Sequence, residues 1–400
     1  MKAVFMGLGY IGLPTAAVAA KYGIDVIGVD INPEVVDTIN KGEIHIVEPG
    51  LGDVVKQVVQ GGKLVARLEP EEADAYFIVV PTPFKQNRRA DTSYVEAATR
   101  AVLPLLKPGD LYVIESTSPV LTTEKMSRII FKERPELEGQ IFIAYCPERV
   151  LPGNVLYELV ENDRVIGGIN PESTAKATAF YAHFVKGKLH ATNARTAEMC
   201  KLTENSSRDA QIAFANELSM ICDRVGVNTW DLIELANKHP RVNILQPGCG
   251  VGGHCIAVDP WFIVSDFPEQ AQLIKRVRET NDYKADWCAN KVIEQCIAFE
   301  NEHSREPIVA CMGLAFKPDI DDLRESPAKY IASRIISEAR ADVLVVEPNV
   351  ESHRSFNLTN YQEAYDQADI IVWLVRHKEF VDVAVDQAKI ELDFCGVRKK

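Results

Sequence analysis

The run Gly248-Cys249-Gly250-Val251-Gly252-Gly253-His254-Cys255-Ile256-Ala257-Val258-Asp259-Pro260 gathers the types of residue that nucleophilic chemistry needs. Four glycines in six positions leave backbone exposed and allow a substrate to approach closely. Asp259-Pro260 reads as a helix start, an N-cap followed by a proline at N1. Cys255 then lies just outside a helix N-terminus, where the dipole favours a thiolate. The same run is also compatible with a glycine loop around an inert, buried cysteine. A metal site is not expected: there is no CxxC pair, and adjacent His254 and Cys255 are poorly spaced for chelation.

A cysteine nucleophile needs elements to position it and its co-reactants. The chain opens Val4-Phe5-Met6-Gly7-Leu8-Gly9-Tyr10-Ile11-Gly12-Leu13-Pro14, an apolar strand entering GxGxxG with a helical pattern after it. A second apolar strand, Val26 to Val29, ends in Asp30, 18 residues beyond Gly12. Together these features point to a dinucleotide site. Gly7 makes the tight turn, Gly9 admits the pyrophosphate, Gly12 permits close helix packing, and Asp30 accepts from the ribose hydroxyls. Ile31, Asn32 and Pro33 follow with no arginine for a 2′-phosphate, so NAD is expected rather than NADP.

Apolar runs at 75–80, 111–114, 141–145 and 164–168 alternate with helical patterns, which indicates a parallel sheet covered on both faces. Three of them end in polar tails: Pro81-Thr82-Pro83, Glu115-Ser116-Thr117-Ser118 and Cys146-Pro147-Glu148-Arg149. Ligands of such sheets bind at the carboxyl ends of the strands. From about 194 to 300 helical periodicity replaces strands, with long helices expected near 194–225 and 267–301. Strands return after Glu306-Pro307, and 309–315, 343–347 and 368–375 echo the first strands of the chain. The expected fold is therefore α/β, two Rossmann-like doubly wound parallel-sheet domains joined by a long helical span. Its expected parts are residues 1–193, 194–304 and 305–400.

On the first long helix, Lys201, Asn205 and Arg208 fall at i, i+4 and i+7, on one face. Lys201 offers a cation to a developing oxyanion, Asn205 a hydrogen bond, and Arg208 a contact for a phosphate or carboxylate. A solvated face with ordinary charges is the other reading of that trio. His239-Pro240-Arg241 and the run Asp321 to Glu325 are equally compatible with plain surface.

The 400 residues exceed one ordinary core, so two or three domains are expected. The net charge of −13 argues against a nucleic-acid partner. No apolar run approaches membrane-spanning length, and the amino end reads as a sheet strand rather than a signal peptide. Nine cysteines without regular spacing fit thiols in a reducing compartment, so a cytoplasmic location is expected.

Taken together, the chain resembles the UDP-glucose/GDP-mannose dehydrogenase family over essentially its full length. The matching pieces are GLGYIGLP at 7–14, VPTP at 80–83, ESTSP at 115–119, CPER at 146–149 and KLTEN at 201–205. GVGGHCIAVDP at 250–260 and FKPDIDDLRESP at 316–327 complete the set. The resemblance implies a four-electron oxidation of a sugar C6 alcohol to a carboxylate with NAD, through a thiohemiacetal and a thioester on Cys255. It further implies that Lys201 and Asn205 stabilise the oxyanion, that Asp259 orients water, that Glu148 handles protons at hydrolysis, and that Thr117 lies near the nicotinamide. Tyr10, Ile11, Asp30, Pro81, Thr82, Thr117 and Arg324 match cofactor contacts. Phe316 and Lys317 match uridine diphosphate contacts, and Arg398 is the basic residue near the carboxyl end. Arg149, Val150, Arg208, His239 and Gly250 belong to the expected sugar-nucleotide site. Arg241 corresponds to an arginine that reaches the partner's site, which implies a homodimer. Where UDP-glucose and GDP-mannose members carry a second glutamate, four residues after the one matching Glu148, this chain has Pro152. That departure suggests a pocket for an N-acetyl group, and CPERVLPG, NDRVIGG and HPRVNILQPG resemble the members that act on UDP-N-acetylhexosamines. The resemblance implies UDP-N-acetyl-D-mannosamine first and UDP-N-acetylglucosamine or another of the class as the alternative; a two-electron NAD dehydrogenase and a non-catalytic nucleotide-sugar sensor are the remaining alternatives.

Overall fold

The computed structural model describes all residues except 84, 86, 87, 152, 254 and 400. Pro152 and His254, both singled out above, therefore lie outside the described residues. The chain divides into two compact units, Met1–Thr203 and Glu204–Lys400.

The first unit is built on β1 (Lys2–Met6), β2 (Asp25–Val29), β3 (Leu64–Arg67), β4 (Ala75–Ile78), β5 (Leu111–Ile114), β6 (Phe142–Tyr145), β7 (Arg164–Gly168) and β8 (Leu189–Asn193). Its helices are α1 (Gly12–Lys21), α2 (Pro33–Asn40), α3 (Leu51–Gln60), α4 (Ser93–Val102), α5 (Thr122–Glu133), α6 (Val155–Glu161) and α7 (Pro171–Tyr181). The sheet order is β3-β2-β1-β4-β5-β6-β7-β8. Strands are added outward in opposite directions from β1 and its parallel neighbour β4, so the loops after these strands part and leave a crevice at their carboxyl ends. Side-chain alternation along β1 sends Ala3 and Phe5 into one apolar layer and Val4 and Met6 into the other. Both faces are thus covered, as a sheet with continuous apolar strands requires.

The expectation of a wholly parallel sheet fails at one pairing. β7 runs antiparallel to β6, with Ala144 opposite Gly168 and Tyr145 opposite Gly167. β3 and β8 carried no clear sequence signal. Both are edge strands: β3 has only the short apolar run Leu64-Val65-Ala66, and the alternating Leu-His-Ala-Thr-Asn of β8 is largely exposed.

α8 (Ala194–Val225) is one unbroken helix of 32 residues, and most of it lies in the second unit. There follow α9 (Thr229–Ala236), α10 (Asp259–Asp266) and α11 (Gln272–His303). A second sheet comprises β9 (Ile308–Met312), β10 (Asp342–Val346), β11 (Ile370–Trp373) and β12 (Ile390–Asp393), with α12 (Pro327–Glu338), α13 (Tyr361–Gln367) and α14 (Lys378–Val381). All its pairings are parallel, in the order β10-β9-β11-β12, which repeats the β2-β1-β4-β5 core of the first sheet. α11 presents Ala285, Cys288, Ala289, Val292, Cys296 and Phe299 at three- and four-residue spacing, and these share one core with β9, β11 and α12. No described helix is long and apolar enough to cross a membrane.

Candidate active site

In the first unit, β1 runs into the glycine turn. Gly7 adopts φ +99°, and its N–H donates to Val29 O at 2.8 Å. A Cβ on Gly7 would lie 2.6 Å from Val79 O, and one on Gly12 would lie 1.9 Å from Gly7 O. A Cβ on Gly9 would meet nothing within 4 Å. Two glycines are thus compelled by the fold, while Gly9 borders open space. Asp30, half-buried at the end of β2, accepts from the Leu8 N–H at 3.1 Å and the Asn32 N–H at 3.0 Å. The acid is therefore held against the glycine turn. Tyr10 is half exposed beside it, and Ile11 precedes α1. Thr82 Oγ1 donates to Thr117 O at 2.6 Å, tying the loop after β4, including Pro81, to the loop after β5. These residues fit a dinucleotide: a glycine turn with clear space at Gly9 and an acid fixed one strand away.

Glu148 is buried just beyond β6. Its Oε2 accepts from Arg164 Nη2 at 3.0 Å, and its Oε1 accepts from the Arg149 N–H at 2.7 Å. The Arg149 side chain donates to Asp163 O at 3.3 Å, and Val150 packs against the adjacent core. Glu198, near the start of α8, accepts from the Leu121 and Thr123 N–H groups, each at 2.7 Å, and so caps α5. Lys201, one turn later, is half-buried.

In the second unit, Asn205 Nδ2 donates to Asp259 Oδ2 at 2.5 Å, and Asp259 is buried. The expected N-cap at Asp259 needs correction. α10 begins at Asp259 with Val258 as cap, and the Asp259 carboxylate faces Asn205 of α8 instead of closing its own helix. The Cys255 carbonyl accepts from the Asp259 N–H at 2.8 Å and from the Val258 N–H at 3.0 Å, so Cys255 heads the turn that starts α10. Of the nine cysteines, Cys255 alone is exposed. The compatible reading of an inert buried cysteine therefore does not hold at this position.

Of the glycines before Cys255, Gly248 and Gly250 line open space, while Gly252 and Gly253 are closely packed. A Cβ on Gly252 would lie 2.6 Å from Glu325 O and 2.7 Å from Phe316 Cβ, and one on Gly253 would lie 2.9 Å from the Phe316 ring. Gly250, at φ +140°, abuts Asn281 O and Pro327. Gly253 also donates to Arg324 O at 3.1 Å, and the Arg324 guanidinium pairs with Asp322. The glycine run and the Phe316–Pro327 loop are thus one packed body.

A cavity of about 340 Å³ opens in this unit, lined among others by Trp230, Gly250, Phe316, Arg376 and Lys399. It lies where β9 and β11 send their loops apart, at the switch point of the second sheet. Lys317, next to Phe316, is exposed, and its Nζ lies 5.9 Å from the Phe316 ring. Arg398 does not line this cavity. Its guanidinium donates to Glu391 at 2.6 and 2.7 Å and covers the Trp373 ring at 4.8 Å, and the basic residues that line the cavity are Arg376 and, near the carboxyl end, Lys399. Arg208 is exposed on α8. His239 and Arg241 are exposed on a loop that Asn237 closes by bonding both the N–H and the carbonyl of Ile244. Asp319, His377 and Glu379 approach one another. Both His377 nitrogens are engaged, Nδ1 by the Asp319 N–H and Asn349 Nδ2, Nε2 by Glu347.

Sequence reading missed Arg164, Arg376, Trp230 and Lys399. Arg164 had a signal, a lone arginine opening an otherwise apolar strand. The three cavity residues, Trp230, Arg376 and Lys399, come from three separate segments and had none.

A dinucleotide turn at one switch point, a nucleotide-sized cavity at another and an exposed cysteine at a helix head define a nucleotide-dependent oxidoreductase. The chain belongs to the UDP-glucose/GDP-mannose dehydrogenase family: residues 1–185 match its NAD binding domain, 195–283 its central domain and 310–396 its UDP binding domain. It is 53% identical over 410 residues to a UDP-N-acetyl-D-mannosamine dehydrogenase of Campylobacter jejuni, covering 98% of this chain and 99% of the relative. It is also 53% identical over 406 residues to an NDP-N-acetyl-D-galactosaminuronic acid dehydrogenase of Ralstonia nicotianae, covering 98% and 95%. Among solved structures, a UDP-D-ManNAc dehydrogenase of Pyrococcus horikoshii superposes with a TM-score of 0.90 at 38% identity, covering 100% of this chain and 96% of that one.

Proposed function

We propose that this enzyme oxidises the C6 hydroxyl of UDP-N-acetyl-D-mannosamine to the carboxylate, through a covalent intermediate on Cys255. The exposure of Cys255 at the head of α10 carries the covalent part of this reading. Near full-length likeness to the Campylobacter jejuni protein supports the substrate. NAD, held by Gly7, Gly9, Gly12, Asp30 and the Thr82–Thr117 pair, supplies the hydride acceptor for both oxidations. Cys255 Sγ adds to the C6 aldehyde to give a thiohemiacetal, whose oxidation leaves a thioester. Lys201 and Asn205 stabilise the oxyanion that each addition creates. Asp259, oriented by Asn205, and Glu148 take the proton of the water that hydrolyses the thioester. Phe316, Lys317 and the cavity beside them hold the uridine diphosphate, with Arg149, Val150, Arg208, His239 and Gly250 toward the sugar and Arg324 toward the cofactor.

In this reading residues 1–193 form the NAD-binding part, 194–304 the central part and 305–400 the nucleotide-sugar part. The enzyme acts as a homodimer in the cytoplasm. Exposed Phe214, Ile221 and Val225 on α8 support the dimer, and the exposure of Arg241 supports its serving the partner's site. The absence of disulfides among the nine cysteines supports a reducing compartment.

Equal likeness to the Ralstonia nicotianae protein supports a second reading, the same chemistry on another UDP-N-acetylhexosamine. The test is NADH yield with limiting UDP-N-acetyl-D-mannosamine, UDP-N-acetylglucosamine and UDP-glucose in separate assays. About two NADH per UDP-N-acetyl-D-mannosamine, with the others nearly inert, is expected. A yield near one would remove the covalent role of Cys255. Preference for UDP-N-acetylglucosamine would keep the mechanism and change the sugar.

A further inference from the structure

Behind Glu148 lies a buried chain of ionisable side chains that the mechanism above does not use. Glu148, Arg164, Tyr181 and Glu115 are all buried, on four different segments of the first unit. Arg164 Nη2 donates to Glu148 Oε2 at 3.0 Å, and Nη1 points to Cys146 Sγ at 3.8 Å. The Arg164 guanidinium lies 5.1 Å from the centre of the Tyr181 ring. The Tyr181 hydroxyl donates to Glu115 Oε1 at 2.5 Å, while Glu115 Oε2 is buried with no hydrogen-bond partner among the described residues. Glu115 directly precedes Ser116-Thr117 in the loop after β5, on the side where Thr82 is bonded.

The antiparallel course of β7 creates this cluster. With Tyr145 opposite Gly167, the register continues to place the first residue of β7, Arg164, beside Glu148. A parallel β7 would have put Arg164 at the opposite end of the strands, beside the start of β6.

Two buried carboxyl groups thus lie around one buried guanidinium, Glu148 bonded to it directly and Glu115 linked to it through the Tyr181 side chain. A buried ion pair holds only while its charges balance, and a second anion nearby must either share the cation or stay protonated. Burial pushes the Glu115 carboxyl up to about 7, with Glu148 adding to the rise, while Arg164 and the Tyr181 hydrogen bond oppose it. Among the described residues, the charged or titratable groups acting on Glu115 are Arg164 on β7, Glu148 and Cys146 after β6, and Tyr181 on α7.

We propose that Glu115 is a positioning residue for Glu148, because the two carboxylates compete for Arg164, so the charge on Glu115 controls how tightly Glu148 is held. With Glu115 neutral, Arg164 binds Glu148 alone and restrains it. With Glu115 ionised, Arg164 is shared and Glu148 is released toward the water it activates. Turnover therefore rises with pH as Glu115 ionises. This inference rests on the reading of Glu148 as the proton-handling residue.

The experiment is the pH dependence of kcat and KM for the wild type, Glu115→Gln, Tyr181→Phe and Glu148→Gln, using the full enzyme with NAD and UDP-N-acetyl-D-mannosamine. The wild type is expected to gain activity through about pH 7. Glu115→Gln fixes the neutral state. It should lose that rise and run about three- to tenfold below wild type on the alkaline side, with KM for the sugar nucleotide little changed. Tyr181→Phe removes a hydrogen bond that favours the ionised form, so its rise should move to higher pH. A Glu115→Gln profile that still rises as in the wild type overturns the proposal. If Glu115→Gln fails to fold, an unshifted rise in Tyr181→Phe overturns it instead. Full activity in Glu148→Gln would overturn the reading of Glu148, and the proposal with it. An impaired Glu148→Gln beside an unaltered Glu115→Gln would remove the proposal alone.

Discussion

At the scale of the residue, the site depends on which side chains are exposed and which are consumed by neighbours. Cys255 is the exposed thiol, while Cys146 and Cys311 are buried, and burial pushes both thiols up to about 12. A thiol so held is a poor nucleophile at neutral pH. Cys255→Ser is therefore expected to abolish uronate formation, measured as carboxylate product after exhaustive incubation with NAD. Continued uronate formation by that variant would show that the thiol is dispensable. Asn205 carries a double burden, since its amide also satisfies the buried Asp259. Asn205→Ala should lower kcat by about 10²- to 10³-fold, the typical cost of a lost oxyanion donor, with a smaller change in KM. The carboxyl sheet shows the converse case. Glu347 ends β10 as Asp30 ends β2, yet it is buried and accepts from the Leu314 and Ala315 N–H groups, each at 2.8 Å. Burial alone would raise its carboxyl, but His377 and these backbone donors outweigh that and hold it near 2. An acid so enclosed fastens its own loop and has little to offer a ribose.

At the scale of the element, the glycine turns are read in two different ways by their surroundings. In the amino-terminal turn, Gly12 brings α1 against the Gly7 carbonyl. Gly12→Ala must push that carbonyl aside, at a cost of about 1–3 kcal/mol from overpacking. A lower melting temperature and a raised KM for NAD are expected, with KM for the sugar nucleotide nearly unchanged. A variant with wild-type NAD affinity would mean that the turn tolerates the shift. In the carboxyl-terminal unit the glycines before Cys255 seat the Phe316 ring. The loop that presents the thiol and the loop that borders the nucleotide-sized cavity therefore cannot move independently.

At the scale of the whole molecule, α8 leaves Phe214, Ile221 and Val225 exposed, at successive separations of seven and four residues along one helix. Such a stripe on a surface helix marks a face that another helix covers, and a second copy is the partner proposed above. Phe214→Asp is expected to shift the enzyme from dimer toward monomer in sedimentation velocity. If Arg241 serves the partner's site, activity should fall with it. A wild type that sediments as a monomer would refute the dimer outright.

Much of this architecture was legible in the chain itself. The glycine turn, Asp30 and the runs at 111–114 and 164–168 could be read because strand burial writes continuous apolar stretches and phosphate turns need glycine at set places. The long helix over 194–225 was legible for a related reason, since its apolar residues recur at helical spacing. Edge strands such as β8 and β12 escaped because one open side removes the apolar run. Local pattern also could not say that Gly252 and Gly253 face Phe316, that Arg398 is spent on Glu391, or that Lys399 borders the cavity, because each depends on a distant segment. The sequence determined the class of site, since glycine, acid and cysteine spacing is a local matter. The tertiary structure alone decided the direction of β7. Strand direction is set by pairing across the sheet, and that pairing brings Arg164 to Glu148 and encloses Glu115 behind them.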